Sequence, residues 1–503
     1  LVQTDFAERG RTFAAVRLNR ASGLWAGTVI AFVLLTALAA VRGADWSYGA
    51  DTGTFVQIVL DAFGGMHNGV ERTTHYRFHW SPTLILLWPF LAATHSLWVL
   101  QTILAAATVA CAPLVAAIAR GGVGLSAPLD QTAVGRAGAI KRGILDRTGA
   151  VERGVADRIG AVALVYPPLV AVGFGEFRDL GLLPALALAW WLAMQRRAWR
   201  WVAICALLLA GLREDVCLEL AIIGTVVAVI ALRNGDRATM LAALGSAGLA
   251  VVSDAIYALV VLPRVGPWPP SHFYTYPFAN GPAELLLAPL THPLAFFAAI
   301  LTVGRLTYVL EALVPLAFIP LRTRMFLLSI PGFAIVLLAN SGLVWRMGMH
   351  YAALWIPWLL IAFAAGIATL RLQRRWTTIA FVLSAVVLIA FSPLHPLHYL
   401  KPSYHTLGDA RTALACVPAN ARVATHDEWY TAVAANRPGA MVLGEPPFTR
   451  SVDYVVVADD FPNTSFQSTA LPYVNLLVAR RAYVPACRAG HVTTYALTAM
   501  YKL

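Results

Sequence analysis

An all-α polytopic membrane core, followed by a small C-terminal α/β domain, is the fold class that this sequence predicts. Three observations lead to it. Of 503 residues, 59% are hydrophobic and only 13% are charged, about half the charged fraction of ordinary soluble domains. Apolar runs repeatedly reach the roughly 17–25 residues that a helix needs to cross a bilayer, and the short alternating segments of a membrane barrel are absent from them. After residue 393 the pattern changes to short β-rich runs alternating with helical pieces.

The elements follow in order. Leu24–Val41 is the first apolar run; it is long for a leader and lacks a small-residue cleavage site, so it reads as a retained span. The outer loop 42–96 contains SYGADTGTFVQIVLDAF (47–63), in which Phe55, Ile58, Val59 and Ala62 form an apolar stripe at helical spacing between Asp51 and Asp61. Asp before such a stripe is a helix-start signal, so Asp51 is expected to cap an amphipathic helix on the outer surface, and Asp61 to be surface. The stretch 81–93 is too short to span and reads as a juxtamembrane or re-entrant helix. Spans are expected at 97–119, 159–173, 180–194, 198–212, 216–233, 239–262, 306–321, 325–340, 350–370 and 376–393, about eleven in all. A second outer juxtamembrane helix covers 283–303. It follows the loop 263–278, whose Trp268, Phe273, Tyr274 and Tyr276 suit a membrane interface.

An odd number of spans separates the two ends of the chain, and charge decides which is inside. More than half of the 38 Lys and Arg fall in segments on one side, including Arg9, Arg11, Arg17 and Arg20, the 120–158 loop, and Arg196, Arg197 and Arg200. This positive-inside bias makes the N-terminus cytoplasmic and the C-terminal region outer. The net charge of +12 therefore records topology, and no nucleic-acid partner is expected. The cytoplasmic loop 120–158 alternates Lys141, Arg142, Asp146, Arg147, Glu152, Arg153, Asp157 and Arg158, the pattern of a solvated surface helix. The chain thus divides into a transmembrane domain, 1–393, and an outer domain, 394–503. In the latter, ARVATH (421–426), SVDYVVVADD (451–460) and HVTTYAL (491–497) read as strands and DEWYTAVAAN (427–436) as a helix. Two of the five cysteines, Cys416 and Cys487, lie there and are a disulfide candidate in an oxidising compartment; Cys111, Cys205 and Cys217 lie in or beside spans.

With this topology the polar clusters at span ends reach one face. They are Asp51; His75, Arg77 and His79; Glu176, Arg178 and Asp179; Arg213, Glu214 and Asp215; and Arg346 with His350 and Tyr351. Charge at membrane depth costs about 2.5–3.5 kcal/mol per group, so clusters of both signs tend to face a polar cavity. Each cluster also has a structural reading, as a helix cap or as ion pairs locking helix ends. His75 and His79 are i,i+4 neighbours if helical and, with Asp51, are candidate ligands for a divalent metal such as Mg or Mn. No phosphate-binding loop, serine elbow, zinc-protease or paired-cysteine motif occurs.

The order YGADTGTFVQ, HWSPTLILLWPF, GEFRDLGLLPALAL, LREDVCLELAIIG and MHYAALWIPWLL resembles a bacterial family of predicted multi-pass membrane proteins. That family is similar to the GT-C superfamily of integral-membrane glycosyltransferases. VPANARVATHDE and SVDYVVVADD resemble its outer tail. The family's usual pattern has Tyr and Asp adjacent and an Asp-Phe-His-Pro run. Here Gly49 and Ala50 separate Tyr48 from Asp51, while Glu176 and Arg178 stand in place of that run's Asp and His.

The resemblance implies transfer of a sugar from a polyprenyl-phosphate donor to an envelope glycan, lipid or protein acceptor, at the outer face of the bacterial inner (cytoplasmic) membrane. It places Asp51 as the candidate general base, with Glu176 and Asp179 near a second acidic site. Arg178, Arg213, Arg346, His79, His350, Tyr351, Glu214 and Asp215 become candidates for holding the lipid phosphate and substrate. Two other classes stay open from the residues: a lipid-linked sugar transporter or flippase, and a non-catalytic envelope assembly protein. The first is disfavoured by the lack of an internal repeat.

Overall fold

The computed structural model describes residues 23–122, 151–268, 273–391, 407–443, 452–460 and 467–499. Most of the 120–158 loop and the N-terminal arginines lie outside them. Among these residues five helices are long and apolar enough to cross a membrane: Gly23–Ala44, Trp98–Arg120, Glu214–Arg233, Arg237–Val265 and Gln373–Ala390. Two bent pairs raise the number to seven, and the shorter apolar helices Pro82–Thr94, Asp179–Gln195, Trp199–Ala210, Arg324–Leu337 and Ile356–Ala368 accompany them.

The expected runs are thus helical, but several do not span as single helices. Proline is the cause. Tyr166 is extended ahead of Pro167, as the residue before proline prefers, and the chain bends by 51° there. The expected 306–321 span stops at Leu313 and continues as short 3₁₀ turns around Pro315 and Pro320, with Ala317 and Phe318 at positive φ. The segment 282–300 folds back by 116° at Pro293. Residues 153–158, read as loop, instead begin the Arg153–Val165 helix, and Asp157 pairs with Arg120 at 3.0 Å.

Ile356–Ala368 is buried on every side from Ile356 through Ile367 and forms the middle of the bundle, as a helix apolar all round must. Trp358 meets Trp190 and Trp191 edge-on. Helices such as Gly23–Ala44 instead expose Val29, Ile30, Val33 and Leu34, which suits contact with lipid.

The C-terminal region holds a five-stranded sheet in the order Ala440–Val442, Val423–Thr425, Tyr454–Ala458, Val492–Leu497, Tyr483–Ala489. The first three strands pair in parallel and the last two antiparallel. Helix Asp427–Ala434 makes the crossover between two parallel strands, as such pairing requires.

This sheet region shares a hydrophobic core with the loop 42–96. Phe55, Val56, Ile58 and Val59 pack in one cluster with Trp429, Tyr430, Val423 and Val456. The helix over 50–60 is therefore not an amphipathic surface helix, since Thr52 through Val59 are all buried. Each large apolar side chain so enclosed contributes about 1.5–3 kcal/mol. A close backbone approach makes Gly53 necessary: a Cβ there would lie 2.8 Å from the Cα of Thr431, whose hydroxyl accepts from the Gly53 N–H at 3.1 Å. Cys416 and Cys487 are joined as a disulfide.

Candidate functional site

The site begins at the N-terminus of the Ala50–Leu60 helix. Gly49 occupies the cap position, and no side chain of the helix caps it. The cap comes from far along the chain. Glu176 accepts from the Gly49 N–H at 2.8 Å, the Thr52 N–H at 3.2 Å and the Thr52 hydroxyl at 2.6 Å. The expectation that Asp51 caps this helix is thereby corrected: an orphan N–H row takes whichever acceptor reaches it, and Glu176 reaches it first. Asp51, in the first turn, turns away and pairs with Arg178.

Arg42, in the last turn of the Gly23–Ala44 helix, holds Glu176 in place. It contacts the carboxylate at 3.1 Å, donates to the Phe174, Gly175 and Ser47 carbonyls, and lies 4.0 Å over the Tyr48 ring. Its role is invisible in sequence, where an arginine at a span end reads as an interface anchor.

Asp51, Glu176 and Arg178 line a cavity of about 140 Å³ together with Arg346, Gly348, Met349 and His350. Gly348 has φ +94°, a left-handed turn that lets the backbone between Arg346 and His350 wrap the cavity wall. His350 begins the 3₁₀ turn leading into the central Ile356–Ala368 helix. Its Nε2 accepts from Arg178 at 3.3 Å, and its ring lies tilted against that of Tyr351 with centroids 4.0 Å apart. Burial, partly offset by Tyr351, brings Arg178 down to about 10, which leaves it charged at neutral pH.

Behind the cavity lies a second, buried polar group. Arg213 faces Asp215 at 3.3 Å, Glu214 at 3.8 Å and Asp179 at 3.9 Å, with Tyr351 5.3 Å away under its guanidinium. Asp179 accepts from the Ser81 hydroxyl at 2.7 Å. Glu214 binds the His79 ring at 2.8 Å and accepts from the Trp80 N–H. Asp179, Arg213, Glu214, Asp215, His79 and Tyr351 are thus gathered near the site, but they do not line its cavity. They brace it.

The proposed ligands Asp51, His75 and His79 do not come together around a point. His75 and His79 are not on an α-helix; a 3₁₀ turn covers only 75–77. His75 Nδ1 binds Glu71 at 2.9 Å, His79 binds Glu214, and Asp51 binds Arg178. No group of three His, Cys, Asp or Glu among the described residues is arranged to hold a metal ion. Burial opposes charge on both members of the Glu71–His75 pair. His75 nevertheless holds Glu71 below its ordinary value, and Glu71, aided by Asp179 and Glu214, raises His75. Glu71 escaped the sequence reading although its i,i+4 spacing to His75 was a usable signal.

The family model described as "Predicted membrane protein (DUF2079)" matches residues 48–483. Among solved structures the fold is similar to ArnT from Cupriavidus metallidurans bound to undecaprenyl phosphate. That match has a TM-score of 0.55 at 11% identity and covers 96% of this chain and 99% of that one. The apo state of the same protein gives a TM-score of 0.51 at 12% identity, covering 93% and 98%. No curated protein matches the chain by sequence.

Proposed function

Starting from a chain that belongs to the DUF2079 family of predicted membrane proteins, we propose that it is a GT-C-type glycosyltransferase. It moves a sugar from a polyprenyl-phosphate donor to the hydroxyl of an envelope glycan, lipid or protein. The observation that carries this reading is the single cavity in which Asp51 faces Arg178, Arg346 and His350, on a chain with an ArnT-like fold. A carboxylate opposite cations is what transfer from a lipid phosphate needs. The ArnT structure with undecaprenyl phosphate supports a lipid of that chemistry as donor carrier here.

In the reaction the acceptor oxygen attacks the anomeric carbon. The bond from that carbon to the phosphate oxygen breaks, and its electron pair leaves with the polyprenyl phosphate. The acceptor's proton passes to the Asp51 carboxylate. Arg178 and Arg346 stabilise the phosphate as its charge grows. Glu176 is a positioning residue, fixing the helix end that carries Asp51. The donor set at Asp51, His75 and His79 does not fit a divalent metal, so no step is assigned to one. The positive-inside bias supports a cytoplasmic N-terminus in the inner membrane, with cavity and sheet on the outer side.

The test is transfer of labelled sugar from polyprenyl-phosphate donor by the protein in proteoliposomes. Asp51→Asn is expected to abolish transfer while expression and membrane insertion persist; full activity in that variant ends the proposal.

A further inference from the structure

The Asp51 carboxylate is already occupied by the Arg178 guanidinium, and a carboxylate so paired is a poor base. We infer that this ion pair is a latch worked by the donor: the lipid phosphate draws Arg178 onto itself and so releases Asp51 to take the acceptor's proton. The inference rests on the lipid-phosphate reading of the site and adds an order of binding to it, donor before acceptor.

Three features carry it. The pair stands at the cavity wall with the Asp51 side chain 36% exposed and that of Arg178 22% exposed, so an anion entering the cavity reaches the guanidinium directly. Arg178 has no second carboxylate within ion-pair distance among the described residues; its other side-chain partner is the His350 imidazole. A phosphate and a carboxylate bind the same guanidinium edge, so one can replace the other without rebuilding the site. Arg346 lines the same cavity, and its side chain makes no ion pair or hydrogen bond among the described residues. It offers a first foothold for the phosphate before Arg178 is exchanged. The backbone under Asp51 stays fixed meanwhile, because Glu176 holds Gly49 and Thr52.

If phosphate and Asp51 compete for Arg178, coupling is reciprocal: removing the Asp51 charge must tighten phosphate binding. The experiment measures undecaprenyl phosphate binding to the full chain in phosphatidylcholine nanodiscs, with undecaprenol in parallel to report the tail alone. Asp51→Asn is expected to tighten undecaprenyl phosphate binding about three- to fivefold, the upper part of the range for a partly exposed charged pair, and to leave undecaprenol unchanged. In an Arg178→Gln background the same substitution is expected to shift affinity by less than about twofold. Arg178→Met serves as background if Arg178→Gln does not retain undecaprenol binding. Unchanged affinity in Asp51→Asn overturns the latch. So does an equal gain in both backgrounds, because simple charge repulsion would then account for it. In either case weaker phosphate binding by Arg178→Gln and Arg346→Gln leaves the lipid-phosphate reading standing. A wild-type protein that binds the phosphate no better than undecaprenol overturns both.

Discussion

Replacing Glu176 separates positioning from chemistry. Its carboxylate closes three donors at the start of the Ala50–Leu60 helix, at 2.8, 3.2 and 2.6 Å, and neutralises Arg42 at 3.1 Å. Glu176→Ala removes a helix cap, worth about 1 kcal/mol. It also strips the carboxylate from an arginine whose side chain is 2% exposed. Breaking such a buried pair costs about 3–5 kcal/mol when nothing else compensates. Here the Phe174, Gly175 and Ser47 carbonyls and the Tyr48 ring remain, so the low end applies and the total is about 3–4 kcal/mol. Glu176→Gln keeps an acceptor oxygen and loses only the charge, for about 1–2 kcal/mol. Thermal unfolding in nanodiscs, with hydrogen exchange followed at the Gly49 and Thr52 amides, reads both variants. Glu176→Gln is expected to retain measurable transfer where Asp51→Asn has none. The reasoning is refuted if Glu176→Ala unfolds like wild type with unchanged exchange at those amides. It is refuted equally if a stable Glu176→Gln is as inactive as Asp51→Asn.

Two further perturbations address the surroundings. Gly53→Ala pushes a methyl to 2.8 Å from the Thr431 Cα; overpacking of this kind costs about 1–3 kcal/mol, and faster exchange or proteolysis across Asp427–Ala434 should report it, while wild-type protection there counts against the shared core. The Glu71–His75 pair predicts a pH dependence. Glu71 lies below its ordinary 4.5, so its contribution is present above that pH and is lost as pH falls through the lowered value. His75 lies above its ordinary 6.5, so its contribution is complete below that pH and is lost as pH rises through the raised value. Glu71→Gln should therefore destabilise the protein more between pH 4.5 and 6.5 than in alkaline solution, and an equal loss at both would remove the pair from the argument.

That part of the span-end clusters would meet was legible, because charges of both signs at the ends of apolar runs leave few places to go. Asp51, Glu176, Arg178, Arg346 and His350 meet accordingly. The roles within that group were not legible, since they depend on contacts across the fold. Nothing near Asp51 in sequence says that its helix end is closed by a residue more than a hundred positions away. The strand Ala440–Val442 is too short to carry a period-two pattern. Tyr483–Ala489 is an edge strand interrupted at Pro485, where the register shifts before Cys487, and proline inside a run argues against a strand unless it lies at an edge. Span ends were hard to read for a related reason. Hydropathy counts apolar residues, whereas Pro315, Pro320 and the Tyr166–Pro167 step decide where a helix must stop.

Charge at the helix end explains why capping and chemistry fall to different carboxylates. A helix N-terminus favours negative charge, and here two acids compete for it. Glu176 wins the N–H groups because Arg42 anchors it from the opposite side. Asp51, left without an amide to accept from, turns toward Arg178. Two carboxylates are thereby matched by Arg42 and Arg178, while Arg346 lines the cavity with no carboxylate paired to it among the described residues. Within the set Arg42, Arg178, Arg346, Asp51 and Glu176 the surplus is one positive charge, and Arg346, like Arg178, lines the cavity that a ligand can enter. An anionic ligand corrects that imbalance, and a neutral one leaves it. The proposed donor, a lipid-linked phosphate, meets that surplus with its head while its chain stays in the membrane.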